Sequence, residues 1–100
     1  MAEIIWTNPA LEDLNDIAEY IALSNLLSAK KLVAKIFDKV ERLEVFPESG
    51  KKPIELTNLN YREVVVNPCR IFYKIEKQKI YILFVMRQER DLKNFLIGKE

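Results

Sequence analysis

The sequence predicts a single domain of mixed helix and strand in the order β-α-α-β-β-β-α. Three observations carry this. Two successive segments place apolar residues at helical spacing, and three later runs are β-branched or aromatic with turn residues between them. The third is length: 100 residues support one hydrophobic core and not two.

The first element is "EIIWT" at residues 3–7, short, β-branched and aromatic, and stopped by Asn8-Pro9. Asn8 is expected to cap the following helix, with Pro9 in its first turn, where a missing N–H costs nothing. Leu11, Leu14, Ile17, Ala18 and Ile21 then form an apolar stripe, leaving Glu12, Asp13, Asn15, Asp16 and Glu19 for the other faces. After "LSNLLSA", Ser28 is expected to cap a second helix running to about Phe46, with Leu32, Val33, Ile36, Val40 and Leu43 inward and the lysines outward. Two such helices in succession predict an antiparallel hairpin, closed by Pro47 and Gly50.

The three strand-like runs are "YREVVV" at 61–66, "RIFYKI" at 70–75 and "IYILFVMR" at 80–87. Residues 67–68 and 76–79 read as hairpin turns, so neighbouring runs should be antiparallel. In the middle run Ile71, Tyr73 and Ile75 share one face, and Arg70, Phe72 and Lys74 the other. The last run is apolar on both faces, as a central strand covered on both sides would be. "ERDLKNFLIG" then predicts a short helix with Leu92, Phe95 and Leu96 on one side and Gly98 past its end. Trp6, Phe46, Tyr61, Phe72 and Phe84 are expected in the core or lining grooves.

Composition narrows the chemistry. With no histidine and a single cysteine, Cys69, an internal disulfide, a zinc site and a histidine-based triad are excluded, and no cofactor or metal is expected. No apolar run approaches the roughly 20 residues that span a bilayer, which makes no membrane partner and a cytoplasmic address the expectation. The net charge of +1 conceals an uneven split: residues 1–50 carry nine acids and five bases, residues 60–100 nine bases and five acids. The second half is therefore suited to a polyanion or an acidic protein.

Five motifs in order then resemble the RelE/ParE family of toxins from bacterial type II toxin–antitoxin modules. Ala10, Asp13, Leu14, Ile17, Tyr20 and Ile21 match the family's opening helix, and Leu43, Pro47 and Gly50 an L-x-x-x-P-x-x-G segment. Arg62 opens the next strand, Ile71 and Tyr73 give an I-x-Y pattern, and Val85, Arg87, Arg90 and Asp91 follow the terminal V-x-H-x-x-R-D pattern, with arginine where histidine is frequent. The resemblance covers residues 3–97 and implies an α+β domain whose helical hairpin packs on a twisted antiparallel sheet.

The resemblance also implies a partner, a cognate antitoxin that neutralises the toxin by direct binding. It leaves two targets: ParE-like members poison DNA gyrase, whereas RelE-like members cleave messenger RNA on the ribosome with lysines, arginines and a terminal tyrosine on the concave sheet face. Arg62 and Arg70 fall on matching strand positions, and Arg87 or Arg90 could clamp phosphate. The proton-transfer positions, however, hold Val64 and Asn94 or Phe95, and losing one such group typically removes roughly 10²–10⁴-fold in rate. The expectation is accordingly a ParE-like gyrase poison acting by binding, with an mRNA endoribonuclease and a non-toxic antitoxin-binding domain as alternatives. Arg62, Arg70, Phe72, Lys74, Arg87, Arg90 and Asp91 are the candidate contact residues, and a helix-hairpin groove exposing Leu23, Leu26, Leu27 or Phe37 is the candidate antitoxin seat.

Against these roles stand plain ones. Asp91 can simply start a helix, Arg62 and Arg70 can pair with Glu63 or Glu76 across strands, and Cys69 has no neighbour in sequence that would make it a thiolate.

Overall fold

The computed structural model describes residues 1–98, and its element order is the expected one. The elements are β1 (Glu3–Trp6), α1 (Asn8–Ala22), α2 (Leu26–Glu41), β2 (Arg62–Val66), β3 (Cys69–Glu76), β4 (Lys79–Arg87) and α3 (Leu92–Ile97), with short 3-10 turns at Arg42–Glu44 and Ile54–Leu56. The four strands lie in the order β1-β4-β3-β2. The β2–β3 and β3–β4 hairpins are antiparallel, but β1 joins β4 in parallel, so the sheet is mixed and not wholly antiparallel. The helical hairpin stands between β1 and the strands, so the chain re-enters beside its starting point running in the same direction.

Both helix caps sit upstream of the expected residues. Thr7, not Asn8, caps α1: its hydroxyl accepts the Ala10 N–H at 3.3 Å and donates to the Ile82 carbonyl at 2.6 Å, tying the helix start to β4. Asn25, not Ser28, caps α2, and the Ser28 N–H donates to its side chain at 3.0 Å. α2 stops at Glu41 and tightens into the 3-10 turn in place of running to Phe46.

The helices cover one face of the sheet. Leu14, Leu32, Ile36, Val40 and Leu43 meet Val64, Ile71, Tyr73, Ile80, Ile82 and Val85 in one buried cluster. Leu11, placed in the stripe by its spacing, is exposed, and Asp13, placed outside it, is buried. The Asp13 carboxylate accepts the Val85 N–H at 3.1 Å. Pairing between β1 and β4 ends at Trp6 and Ile82, so this carboxylate serves a strand amide beyond the reach of β1.

The opposite face is covered over part of its area by a second cluster of Phe72, Met86, Leu92 and Phe95, with Leu56 and Phe84 against it. That is why β4 reads as apolar on both sides. Phe46, expected in the core or lining a groove, is exposed on the wall of an open pocket with Val45, Pro47 and Ile75.

Candidate functional site: a guarded arginine on the sheet face

The β2–β3 register decides which candidates can act together. Val66 pairs with Cys69, Val65 with Arg70 and Arg62 with Tyr73. Directly opposed residues share a face, so Arg70, Phe72 and Lys74 lie on the face away from the helices, whereas Arg62 lies with Tyr73 on the helix side. The two arginines expected on one concave face are on opposite faces.

Arg62 is engaged by backbone. It donates to the Glu48 and Gly50 carbonyls at 3.1 and 2.7 Å, fixing the loop that follows α2. The same loop is held from inside by Tyr73, whose hydroxyl donates to the Pro47 carbonyl at 2.7 Å and accepts the Gly50 N–H at 2.9 Å. Burial pushes the Tyr73 hydroxyl upward, so it stays protonated as a donor.

Arg70 is held by carboxylates on two sides. Its Nη atoms make a fork on Glu55 at 2.8 and 2.9 Å, and its Nε donates to Glu63 at 2.7 Å. The guanidinium stands over the Phe72 ring, 4.9 Å from its centre. Glu63 is only 4% exposed, and its second cation, Lys51, is 4.0 Å away and solvated. The fork from Arg70 pulls the Glu55 carboxyl down to about 2 and, with Glu63, pushes Arg70 further up. Lys74, on the same face, pairs with Glu76 at 2.8 Å, is pushed up by that partner, and sits 5.6 Å from the Tyr81 ring centre.

These values set an acid limb. Glu55 titrates near 2 when folded against 4.5 ordinarily, so its contribution is complete above pH about 4.5 and is lost as pH falls toward 2. Its side chain is 35% exposed, and solvent screening leaves about 1 kcal/mol of this for the fold. Melting temperatures between pH 5 and about 2.5 should therefore fall less steeply for Glu55→Gln than for the unaltered chain.

The terminal arginines lie elsewhere. Arg87 pairs with Cys69 across β3 and β4 on the helix side and stands 5.6 Å from the Tyr20 ring centre on α1. Its Nε is 2.7 Å from a Glu89 oxygen, but in a direction that makes no hydrogen bond, so the contact is one of charge alone. Arg90 covers Phe95 at 5.1 Å, and Asp91 caps α3, accepting the Lys93 and Asn94 N–H groups. Asp91 thus starts a helix, the plain role open to it. Cys69 is buried, and burial pushes its thiol to about 11, well away from a poised nucleophile.

Between α1 and α2 runs a cleft of about 410 Å³ walled by Ala18, Ala22, Leu26, Val33 and Ala34. Leu26 belongs to it; Leu23 and Leu27 are exposed at the hairpin tip, and Phe37 packs 4.9 Å from Trp6 at a separate site. Among the described residues no helix is long and apolar enough to cross a membrane.

Sequence reasoning missed Glu55 as a partner and Asp13 as a buried acceptor. Asp13 had a visible signal, since Ala10, Asp13, Leu14 and Ile17 follow i, i+3, i+4, i+7 spacing. Glu55 had none, because its partner is 15 residues away through an irregular loop.

The family model described as ParE toxin of type II toxin–antitoxin system, parDE, matches residues 4–92. Toxin RelE2 of Caulobacter vibrioides is 31% identical over 91 residues, covering 90% of this chain and 99% of that protein. A structure from the chromosomal ParDE toxin–antitoxin system of P. aeruginosa superposes with a TM-score of 0.74 at 27% identity, covering 89% of this chain and 98% of that one. The RelBE2 toxin–antitoxin complex of Mycobacterium tuberculosis shares the fold, with a TM-score of 0.58 at 19% identity over 86% of this chain and 96% of that one.

Proposed function

The chain belongs to the ParE toxin family of type II toxin–antitoxin systems, and on that footing we propose that it arrests growth by binding DNA gyrase, without cutting RNA, and is neutralised by a cognate antitoxin. The observation that carries this reading is the state of Arg70. In-line cleavage of RNA needs a base for the 2′-hydroxyl and uncompensated positive charge for the phosphorane. On the open face Glu55 and Glu63 offset the charges of Arg70 and Lys51, and Glu76 keeps Lys74 protonated. A phosphodiester arriving there finds the charges of Arg70 and Lys74 already paired, and the outer carboxylate, Glu55, is held far below the usual range and is a weak base.

Such a face, apolar and aromatic around compensated charges, suits a protein partner better than a nucleic acid. Our candidate docking rim for gyrase lies at the end of β4, where Arg87, in charge contact with Glu89, stands beside Tyr20 and Arg90 covers Phe95. The α1–α2 cleft is the proposed antitoxin seat: its alanines let a helix approach closely, and the exposed Leu23, Leu26 and Leu27 extend its apolar surface.

One assay set tests both halves. The purified chain should block supercoiling by gyrase or accumulate cleaved DNA, while transcripts on translating ribosomes stay intact. Added antitoxin should restore supercoiling, and Ala22→Arg should weaken that rescue about a hundredfold without changing inhibition, because it sets a bulky cation in an apolar cleft. Ribosome-dependent fragments with unaffected gyrase would establish the endoribonuclease reading. Silence in both assays with intact antitoxin binding would leave a non-toxic binding domain.

A further inference from the structure

Arg70 sits in a cleft of about 410 Å³ whose walls include Ile54, Val65, Gln88 and Lys51 as well as its two carboxylate partners. The partners are not equivalent. Glu63 belongs to β2, is buried, and is fixed by mutual backbone hydrogen bonds with Lys51 at 2.8 and 3.0 Å. Glu55 rides on the exposed 3-10 turn and reaches the guanidinium fork from outside. Pro53 is buried and Leu56 packs on the Phe72 cluster, so the turn is seated independently of the Glu55 side chain. Rotation of that one side chain empties the fork and leaves the rest of the cleft standing.

We propose that this cleft is an acceptor site for an acidic, aliphatic peptide segment of a partner protein, and that Glu55 occupies it in the free chain. The fork on Arg70 has the planar geometry that a carboxylate fills with two parallel hydrogen bonds. Ile54, 87% exposed, and Val65 offer aliphatic contacts in the same cleft, Lys51 adds a solvated ammonium, and Gln88 a neutral amide. Glu63 sets the choice between peptide and nucleic acid. Its fixed charge lies against Arg70, where the neighbouring phosphates of a polyanion would meet it, while a peptide can present one carboxylate flanked by apolar side chains. The acceptor role does not depend on gyrase being the target.

An internal occupant lowers the apparent affinity for an external one by the fraction of time the fork is open; a pair closed for about nine-tenths of the time costs about tenfold. The test uses the intact chain with two fluorescein-labelled probes, a peptide carrying one glutamate flanked by leucines and a short single-stranded RNA. Glu55→Ala should bind the peptide about tenfold more tightly than the unaltered chain, and Glu55→Gln, which keeps a neutral acceptor, should fall between them. Arg70→Lys in the Glu55→Ala background should erase the gain, because an ammonium cannot make the fork. RNA affinity should move less than peptide affinity. Equal peptide binding by all the Glu55 variants overturns the proposal, and so does a larger gain for RNA, which would make the cleft a phosphate site. Should Glu55→Ala fail to fold, Glu55→Gln against the unaltered chain decides it.

Discussion

Arg70→Ala is expected to destabilise the fold by about 3 kcal/mol, read as a shift of the urea midpoint with little change in slope. The cause is the carboxylate left behind. Glu63 is 4% exposed, and once Arg70 is gone the nearest cation is Lys51, 4.0 Å off on a solvated side chain. Removing one partner of a buried ion pair costs about 3–5 kcal/mol, and the lower end applies because Lys51 can swing inward. Glu63→Gln in the Arg70→Ala background should recover about half of the loss, since a neutral amide in that place carries no unpaired charge. A joint exchange to Glu63→Leu and Arg70→Met should be nearly neutral, as buried pairs replaced whole by apolar side chains usually are. A cost of Arg70→Ala below about 1 kcal/mol would mean that Glu63 reaches water in the folded state.

This result bears on how toxicity data are read. Arg70→Ala lowers the folded population whatever the target is, so loss of growth arrest in that variant says nothing about catalysis. The informative comparison is between the destabilised single variant and the repaired pair. If the pair regains stability and gyrase inhibition together, Arg70 serves the fold. If it regains stability alone, the guanidinium is itself part of the docking surface.

Periodicity carried most of the fold because most of it rests on local rules. The α2 stripe, the three consecutive strands and the Leu92–Phe95–Leu96 face of α3 all follow from spacing, and all are buried or half-buried as expected. The parallel placement of β1 was not legible, because both helices lie between the strands that pair and no local signal sets direction across such a gap. The caps shifted for a tertiary reason at Thr7, whose hydroxyl also bonds the Ile82 carbonyl 75 residues away.

The site was legible in part. A two-residue turn at Asn67-Pro68 places Val66 opposite Cys69, which forces Arg62 opposite Tyr73 and therefore away from Arg70. Counting residues back from that turn separates the two arginines by sequence alone. The guarding of Arg70 by Glu55 could not be counted out, since an irregular loop sets no register. For Phe46 residue type alone left core and groove open; α2 ends five residues before it and turns it outward, onto the wall of a surface pocket.

Gly50→Ala should cost about 3 kcal/mol or more, equivalent to a fall of about 15 °C in melting temperature for a domain of this size. The glycine has no left-handed backbone to explain it, so the requirement is space. A Cβ at this position would stand 2.5 Å from the Tyr73 hydroxyl, 2.7 Å from Tyr73 Cε1 and 2.7 Å from the Glu63 carbonyl oxygen. None of these can give way cheaply. The tyrosine is fully buried and would lose hydrogen bonds to both Gly50 and Pro47 by withdrawing, and Glu63 is fixed in the β2–β3 ladder and against Lys51. Tyr73→Phe alone should cost about 1–2 kcal/mol by stranding the Gly50 N–H and the Pro47 carbonyl. Because it also removes the closest clashing atom, the Gly50→Ala/Tyr73→Phe pair should lose at least about 1 kcal/mol less than the sum of the singles. Additive losses would instead place the clash on the Glu63 backbone and the ring edge at Cε1, which Tyr73→Phe leaves in place. With Arg62 gripping the same loop through the Glu48 and Gly50 carbonyls, Pro47, Gly50, Arg62 and Tyr73 form one fastening between the end of the helical hairpin and the sheet. Their place in the sequence motifs has that structural reason, and Arg62→Ala should loosen the fastening without touching the open face where Arg70 stands.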